Sequence, residues 1–151
     1  MAFTLSQRSL GRLDGVNNKL HSVVTTAIGL SIVDFGVTSG LRTQKEQEDL
    51  VARGASQSLK SKHLTGDAVD VVAYIGSRIS WELNLYDDIA DAFKEASIKE
   101  GVSIRWGASW HIPQFDKWEG TAEEAMNAYI DLRRSQGRRP FIDAPHFELV
   151  T

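Results

Sequence analysis

Two short segments of this chain place histidine close to carboxylates. The first is SKHLTGDAVD at residues 61–70, with His63 and Asp70, and the second is DAPHFEL at residues 143–149, with His146. The chain has four histidines and no cysteine, so any metal site must be built from imidazole and carboxylate ligands. Two histidines and one aspartate supply the three ligands of a catalytic zinc site and leave a fourth position for water.

The local sequence of the first segment suits such a site. Gly66 permits a tight turn after His63, and small Ala68 lets the following strand pack closely. Asp70 can then project from that strand back toward the histidine.

Hydrolysis at a metal site also needs a base for the water and a positive partner for the oxyanion. Asp143, three residues before His146, can act as the base, and Arg42 is the best candidate for the cation. Spacing alone does not establish a zinc site, because the H-E-x-x-H motif and its relatives do not occur. A structural role for these histidines and carboxylates stays equally open. The G-x-S-x-G elbow does not occur either, which argues against a serine hydrolase.

The elements that must position these residues are predicted from hydrophobic periodicity and capping signals. Helices are expected over residues 16–28, 43–54, 87–101 and 121–134, with capping-box residues at the second and fourth and a stop at Gly29 for the first. Strands are expected over residues 32–38, 68–74, 103–106 and 146–150. Helices and strands mix without regular βαβ alternation, which favours an α+β fold in a single domain, residues 1–151.

Composition excludes several classes of protein. With 42% hydrophobic residues the chain can form an ordinary core, and a net charge of -3 gives no sign of nucleic-acid binding. The apolar runs are too short to span a bilayer, and the N-terminus lacks the apolar stretch of a secretory signal. We therefore expect no membrane insertion, and a protein that stays in the cytoplasm in which it is made unless something else releases it.

The full string S-x-H-x-x-G-x-A-x-D at residues 61–70, followed by D-x-x-H at residues 143–146, is more specific than these spacings. It resembles the zinc D,D-carboxypeptidases and L-alanyl-D-glutamate peptidases, which share the Hedgehog/DD-peptidase fold. More closely, the chain is similar to the L-alanyl-D-glutamate peptidase endolysins of bacteriophages. The similarity extends over DFGVTSGLRTQKEQ, RWGASW and PHFEL, and it implies a small, mainly antiparallel sheet with packed helices.

The resemblance implies a set of site residues. One zinc ion per chain would be held by His63, Asp70 and His146. Asp143 would be the catalytic carboxylate, and Arg42 would contact the substrate or the oxyanion. The D,D-carboxypeptidase branch usually has Glu where this chain has Asp143, so the shorter side chain favours cleavage of the L-Ala–D-Glu bond.

Three further residues are predicted to support the site or contact substrate: Ser61, Trp110 and His111. A surface-loop position explains His111 equally well. Glu148, on the last predicted strand, is expected beside the site in a supporting or structural role. Residues 111–140 form a longer segment than in many relatives, with a predicted helix that can shape the cleft.

The activity implied by the resemblance is hydrolysis of peptidoglycan stem peptides during host lysis. Such an endolysin waits in the host cytoplasm, needs a separate holin-type protein to reach the cell wall, and is expected here as a monomer without a wall-binding domain. One alternative is a zinc D,D-carboxypeptidase that removes terminal D-Ala. Another is a non-catalytic zinc module that binds the wall, although such a module would need neither Asp143 nor Arg42 beside the metal.

Overall fold

Five α-helices occur in residues 2–56 and 59–151, the residues that this computed structural model describes. They are α1 (Gln7–Arg12), α2 (Asn18–Leu30), α3 (Gln44–Ala52), α4 (Leu83–Glu100) and α5 (Ala122–Ser135). The predicted capping boxes are present at α3 and α5, where Thr43 and Thr121 each cap a helix whose third residue is glutamate. None of these helices is long and apolar enough to cross a membrane.

The strands form one antiparallel sheet. They are β1 (Asp34–Ser39), β2 (Ala68–Ile75), β3 (Arg78–Ser80), β4 (Ile104–Trp106) and β5 (His146–Leu149). Their order is β1-β2-β5-β4, and β3 pairs with the far end of β2. The α+β fold with a mainly antiparallel sheet is therefore confirmed.

The core lies between the sheet and the helices α2 and α4. The apolar residues of α2 that recur at steps of three and four are buried, as the periodicity predicts. Within the same core, Phe93 of α4 stacks on Phe147 of β5 with ring centroids 3.9 Å apart. Each fully buried side chain of this size contributes about 1.5–3 kcal/mol, so this packing holds β5 in place beside β2.

Helix α1 was not predicted, and it covers the edge strand β1. Ser9 of α1 accepts a hydrogen bond from the Val37 backbone N–H, and Arg12 donates to the Val37 carbonyl. These contacts give the Val37 N–H and carbonyl groups hydrogen-bond partners. They lie where the register between β1 and β2 shifts, between Val37 and Ser39. The six residues of α1 are too few to show a clear hydrophobic period in the sequence.

The predicted bounds of two helices were wrong. Helix α2 continues past Gly29 to Leu30. Helix α4 begins at Leu83 rather than at Asp87, because a tertiary contact extends it. The Tyr86 hydroxyl donates to the Ser80 carbonyl and accepts from a backbone N–H of β2, which docks the first turn of the helix on the sheet.

As a result Asp87 lies buried within α4, and its Oδ1 atom has no hydrogen-bond partner. Burial, followed by the nearby charges of Glu123, Asp88 and Asp91, raises the pKa of Asp87 to about 6. The unfolded chain has a pKa of about 3.9 at this position. The folded protein therefore binds more protons than the unfolded chain between these values, and stability falls as the pH rises through them.

We predict that Asp87→Asn makes the protein more stable than the parent at pH 7, because the amide carries no charge to desolvate. The advantage should shrink as the pH falls from 7 to 4. Urea unfolding of both proteins across this range measures the difference in the free energy of unfolding. A variant less stable than the parent at pH 7 would contradict the conclusion that the buried charge of Asp87 destabilises the folded protein.

Candidate metal centre

His63 is held in a short 3-10 turn, Lys62–Thr65, between α3 and β2. Ser61 caps the turn by accepting a hydrogen bond from the His63 backbone N–H. Gly66 ends it in the left-handed conformation, at φ 76°, and a Cβ there would lie 2.5 Å from the Gly15 carbonyl oxygen. The glycine is therefore required both for the turn and for the close approach of the α1–α2 loop.

One ring nitrogen of His63 hydrogen-bonds to the backbone, and the other faces Asp70. Nδ1 lies 2.8 Å from the Gly40 carbonyl oxygen, which can only accept, so Nδ1 carries the proton and donates. Nε2 then presents a lone pair. It is buried, has no hydrogen-bond partner, and lies 3.3 Å from Oδ2 of Asp70.

Asp70 and His146 are brought together by the sheet. The two residues are paired directly across the antiparallel strands β2 and β5, so their side chains lie on the same face. Nδ1 of His146 is 3.1 Å from Oδ1 of Asp70, and its Nε2 is 2.8 Å from Oε1 of Glu148. Glu148 is two residues further along β5, on the same face, where it can accept the Nε2 proton and leave Nδ1 available as a ligand.

These three residues can hold a metal ion. One ligand atom from each of His63, Asp70 and His146 lies within 4.8 Å of the others. The buried Nε2 lone pair of His63 faces a carboxylate oxygen, an arrangement that repels unless a metal ion or a proton lies between the two atoms. The donor set therefore fits a metal, and each histidine has the hydrogen-bonded partner that metal-binding imidazoles usually have.

Arg42 holds the third ligand in place. Its Nη2 donates to Oδ2 of Asp70 at 2.8 Å, while Nη1 and Nε donate to Gln47 and Ser39. Burial raises the pKa of Asp70, but the neighbouring imidazoles of His146 and His63 outweigh this effect and keep the pKa well below its usual range. Asp70 is therefore ionised, as a metal ligand must be.

Without metal, the same contacts favour a protonated His146. Burial lowers the pKa of His146, but the hydrogen bonds to Asp70 and Glu148 outweigh it and raise the pKa to about 9. A metal ion must therefore displace a proton from this imidazole at neutral pH.

Asp143 lies in the turn that leads into β5, and Gly107 fixes that turn. The Asp143 N–H donates to the Gly107 carbonyl, and the Gly107 N–H donates to the His146 carbonyl. Burial and the charge of Asp70 raise the pKa of Asp143. The carboxyl group is thus better able to hold a proton than an exposed aspartate.

A cavity of about 430 Å³ contains the cluster and most of the predicted site residues. His63, Asp70, His146, Asp143 and Arg42 line it, as do the predicted residues Ser61 and Trp110. The structure does not bring His111 into this lining. The His111 ring stacks on Tyr129 of α5, with centroids 5.6 Å apart, and burial lowers its pKa.

Sequence analysis missed several contributors to the site. Nothing in the sequence marks the Gly40 carbonyl, which sets the His63 tautomer through a contact 23 residues away. Phe141 lines the cavity beside Trp110, whose Nε1 donates to the Phe141 carbonyl. The position of Glu148 beside the site was predicted, and the structure identifies its partner there as Nε2 of His146.

The contact between Glu148 and His146 generates a prediction. Glu148→Ala should weaken divalent-metal binding about 10–100-fold, because His146 loses the partner that fixes its tautomer and orientation. Glu148→Gln keeps an acceptor oxygen, so its metal affinity should fall by less than that of Glu148→Ala. Competition with a chromophoric chelator measures the affinity, and Glu95→Ala, at an exposed acidic residue of α4, is the control. Equal affinity in Glu148→Ala and the parent would disprove the role of this carboxylate.

A second prediction concerns Gly107. A Cβ at this position would lie 2.2 Å from the Asp143 carbonyl oxygen and 3.0 Å from Cβ of His146. Gly107→Ala should therefore displace the turn and lower metal affinity about tenfold while the chain still folds. Gly29→Ala, where a Cβ meets nothing within 4 Å, should bind metal as the parent does. Unchanged affinity in Gly107→Ala would show that the turn is not needed to place His146.

Comparison with known proteins identifies several similar chains. The profile of the family described as phage L-alanyl-D-glutamate peptidase matches residues 1–150. The L-alanyl-D-glutamate peptidase of Escherichia phage T5 is 35% identical over 115 residues, which cover 74% of this chain and 84% of that protein. The L-alanyl-D-glutamate peptidase of Listeria phage A118 is 28% identical over 94 residues, which cover 57% of this chain and 32% of that protein.

The fold also matches a solved structure. The L-Ala D-Glu endopeptidase ChiX of Serratia marcescens aligns with a TM-score of 0.69 and 34% identity, over 95% of this chain and 86% of that one. This chain therefore belongs to the family of phage L-alanyl-D-glutamate peptidases.

Proposed function

We propose that this protein is a zinc-dependent endopeptidase that hydrolyses the L-Ala–D-Glu bond of peptidoglycan stem peptides. The observation that carries the proposal is one cavity containing both a metal-binding cluster and Asp143. A cluster that only stabilised the fold would need no separate carboxylate in an open cavity. The choice of the L-Ala–D-Glu bond as the scissile bond comes from the names of relatives that are 34–35% identical to this chain.

Zinc is the proposed metal, one ion per chain, with His63, Asp70 and His146 as its ligands. Two imidazoles and one carboxylate are a usual donor set for catalytic zinc, and three protein ligands leave a position open for water. A zinc ion held by these residues would supply Lewis-acid chemistry, polarising the scissile carbonyl and lowering the pKa of the attacking water. Other divalent metals accept these ligands, so the metal must be identified by experiment.

Asp143 is the proposed general base and acid. It accepts a proton from the attacking water as the oxygen–carbon bond forms, and it returns that proton to the leaving nitrogen as the carbon–nitrogen bond breaks. The raised pKa of its buried carboxyl group suits both steps, because a proton taken from water must be held until the amine leaves.

Arg42 donates a hydrogen bond to Asp70, so its first contribution is to orient a metal ligand. The side chain also lines the cavity. Contact between its guanidinium and the oxyanion stays a prediction, since all three of its donor nitrogens have partners in the protein.

The biological context proposed for this activity is host lysis. The protein would accumulate in the host cytoplasm as a monomer and reach the peptidoglycan after a separate holin-type protein opens the inner membrane. The family membership supports this proposal, since endolysins are the lytic enzymes of phages.

Mass spectrometry of peptidoglycan fragments tests the proposed reaction. Digestion should release fragments that begin at D-Glu, chelation should abolish them, and zinc should restore them. Release of free D-Ala alone would instead identify a D,D-carboxypeptidase. No cleavage with any divalent metal would identify a non-catalytic module.

We predict that Asp143→Asn binds zinc like the parent but loses activity about 10²–10⁴-fold, because the amide cannot accept a proton. His146→Ala should lose both zinc and activity. The measurements are kcat/KM on purified stem peptide and the zinc content of the dialysed protein. Asp131→Asn, at an exposed position of α5, is the control and should match the parent. Substantial turnover by Asp143→Asn would remove Asp143 from this role.

A further inference from the structure

Besides the metal cluster, the cavity lining contains two patches of different chemistry. The aromatic patch consists of Trp110 and Phe141, whose rings stack with centroids 6.4 Å apart. The lysine patch consists of Lys60 and Lys62, on either side of Ser61. A cavity with both patches suits a substrate that is apolar in one part and anionic in another.

The substrate of the proposed function has this asymmetry at the scissile bond. The L-Ala side chain is a methyl group, whereas D-Glu has two carboxyl groups, of which only one continues the stem peptide. The other carboxyl group is free and ionised at neutral pH. It enters a cavity that already contains the carboxylates of Asp70, Asp143 and Glu148, so it needs a cation that is not already paired with one of them.

Two cations of the lining already hold the metal site together. Arg42 lies 2.8 Å from Asp70, and Nζ of Lys62 contacts the Leu149 carbonyl and lies 3.5 Å from Glu148. Moving either cation onto a substrate would disturb a metal ligand or its hydrogen-bonded partner. Both are therefore poorly suited to bind and release substrate in each turnover.

Lys60 differs because its side chain is exposed on the rim of the same cavity. The contacts of an exposed ammonium group exchange at little cost, so it can transfer to an arriving carboxylate. We propose that Lys60 binds the free carboxylate of D-Glu and so determines specificity for an acidic residue after the scissile bond. This inference rests on the proposed function and assigns a substrate contact within the same cavity.

Two stem peptides test the inference, one with D-Glu and the other with the free carboxylate converted to an amide. The parent should cleave the acid peptide with a kcat/KM about tenfold or more above that of the amide peptide, as expected for one charge-assisted hydrogen bond. Lys60→Met should lose this preference, slowing only on the acid peptide, and Lys60→Arg should keep most of it. Lys99→Met, at an exposed lysine of α4, should behave as the parent, and all four proteins should bind equal amounts of metal.

Equal cleavage of both peptides by the parent would overturn the inference and leave the proposed function standing. Equal slowing of Lys60→Met on both peptides would do the same, because it would indicate a general effect on the cavity. Cleavage of neither peptide by the parent would instead contradict the proposed function. These outcomes separate the failure of one proposal from the failure of the other.

Discussion

The carboxylate of Asp70 is the point on which the site depends, because three side chains converge on it. Oδ1 meets Nδ1 of His146, and Oδ2 meets Nε2 of His63 and Nη2 of Arg42. These partners come from β5, from the turn before β2 and from the loop after β1. The antiparallel pairing of β2 with β5 places Asp70 opposite His146, and a slip of one residue would move the two to opposite faces. The register of the sheet is therefore a requirement of the chemistry.

Charge balance explains why so many ionisable groups can be packed together here. Three carboxylates, those of Asp70, Asp143 and Glu148, line one cavity, and burying them unpaired would cost several kcal/mol each. Arg42 and Lys62 each contact one of them. When both imidazoles are neutral, the positive charges of a divalent ion, Arg42 and Lys62 exceed the negative charges of the three carboxylates by one. The loaded site is then net positive, which suits a substrate that is anionic and an oxyanion that forms during the reaction.

Sequence could predict the parts of the structure that depend on local signals. The helices with capping boxes at Thr43 and Thr121 have the expected starts, because the cap is a contact between residues three apart. The motif at residues 61–70 likewise contains its own turn and strand. The start of α4 was missed because it depends on Tyr86 reaching β2, and the partner of Arg42 was missed because Asp70 lies 28 residues away. Contacts of this kind are set by the fold, and no residue pattern marks them.

The long segment at residues 111–140 reaches the cavity through Phe141 and the aromatic patch. Its helix α5 is fixed at its start to α4, where the Ala122 N–H donates to Asp91. From the middle of the helix, the Tyr129 hydroxyl accepts a hydrogen bond from the backbone N–H of Phe141. Phe141 belongs to the aromatic patch, whereas the ligands are held by β2, β5 and the turn before β2. Changes in this segment should therefore act first on the apolar side of the cavity, and they can reach the metal cluster through Trp110, whose ring centroid lies 5.6 Å from that of His146.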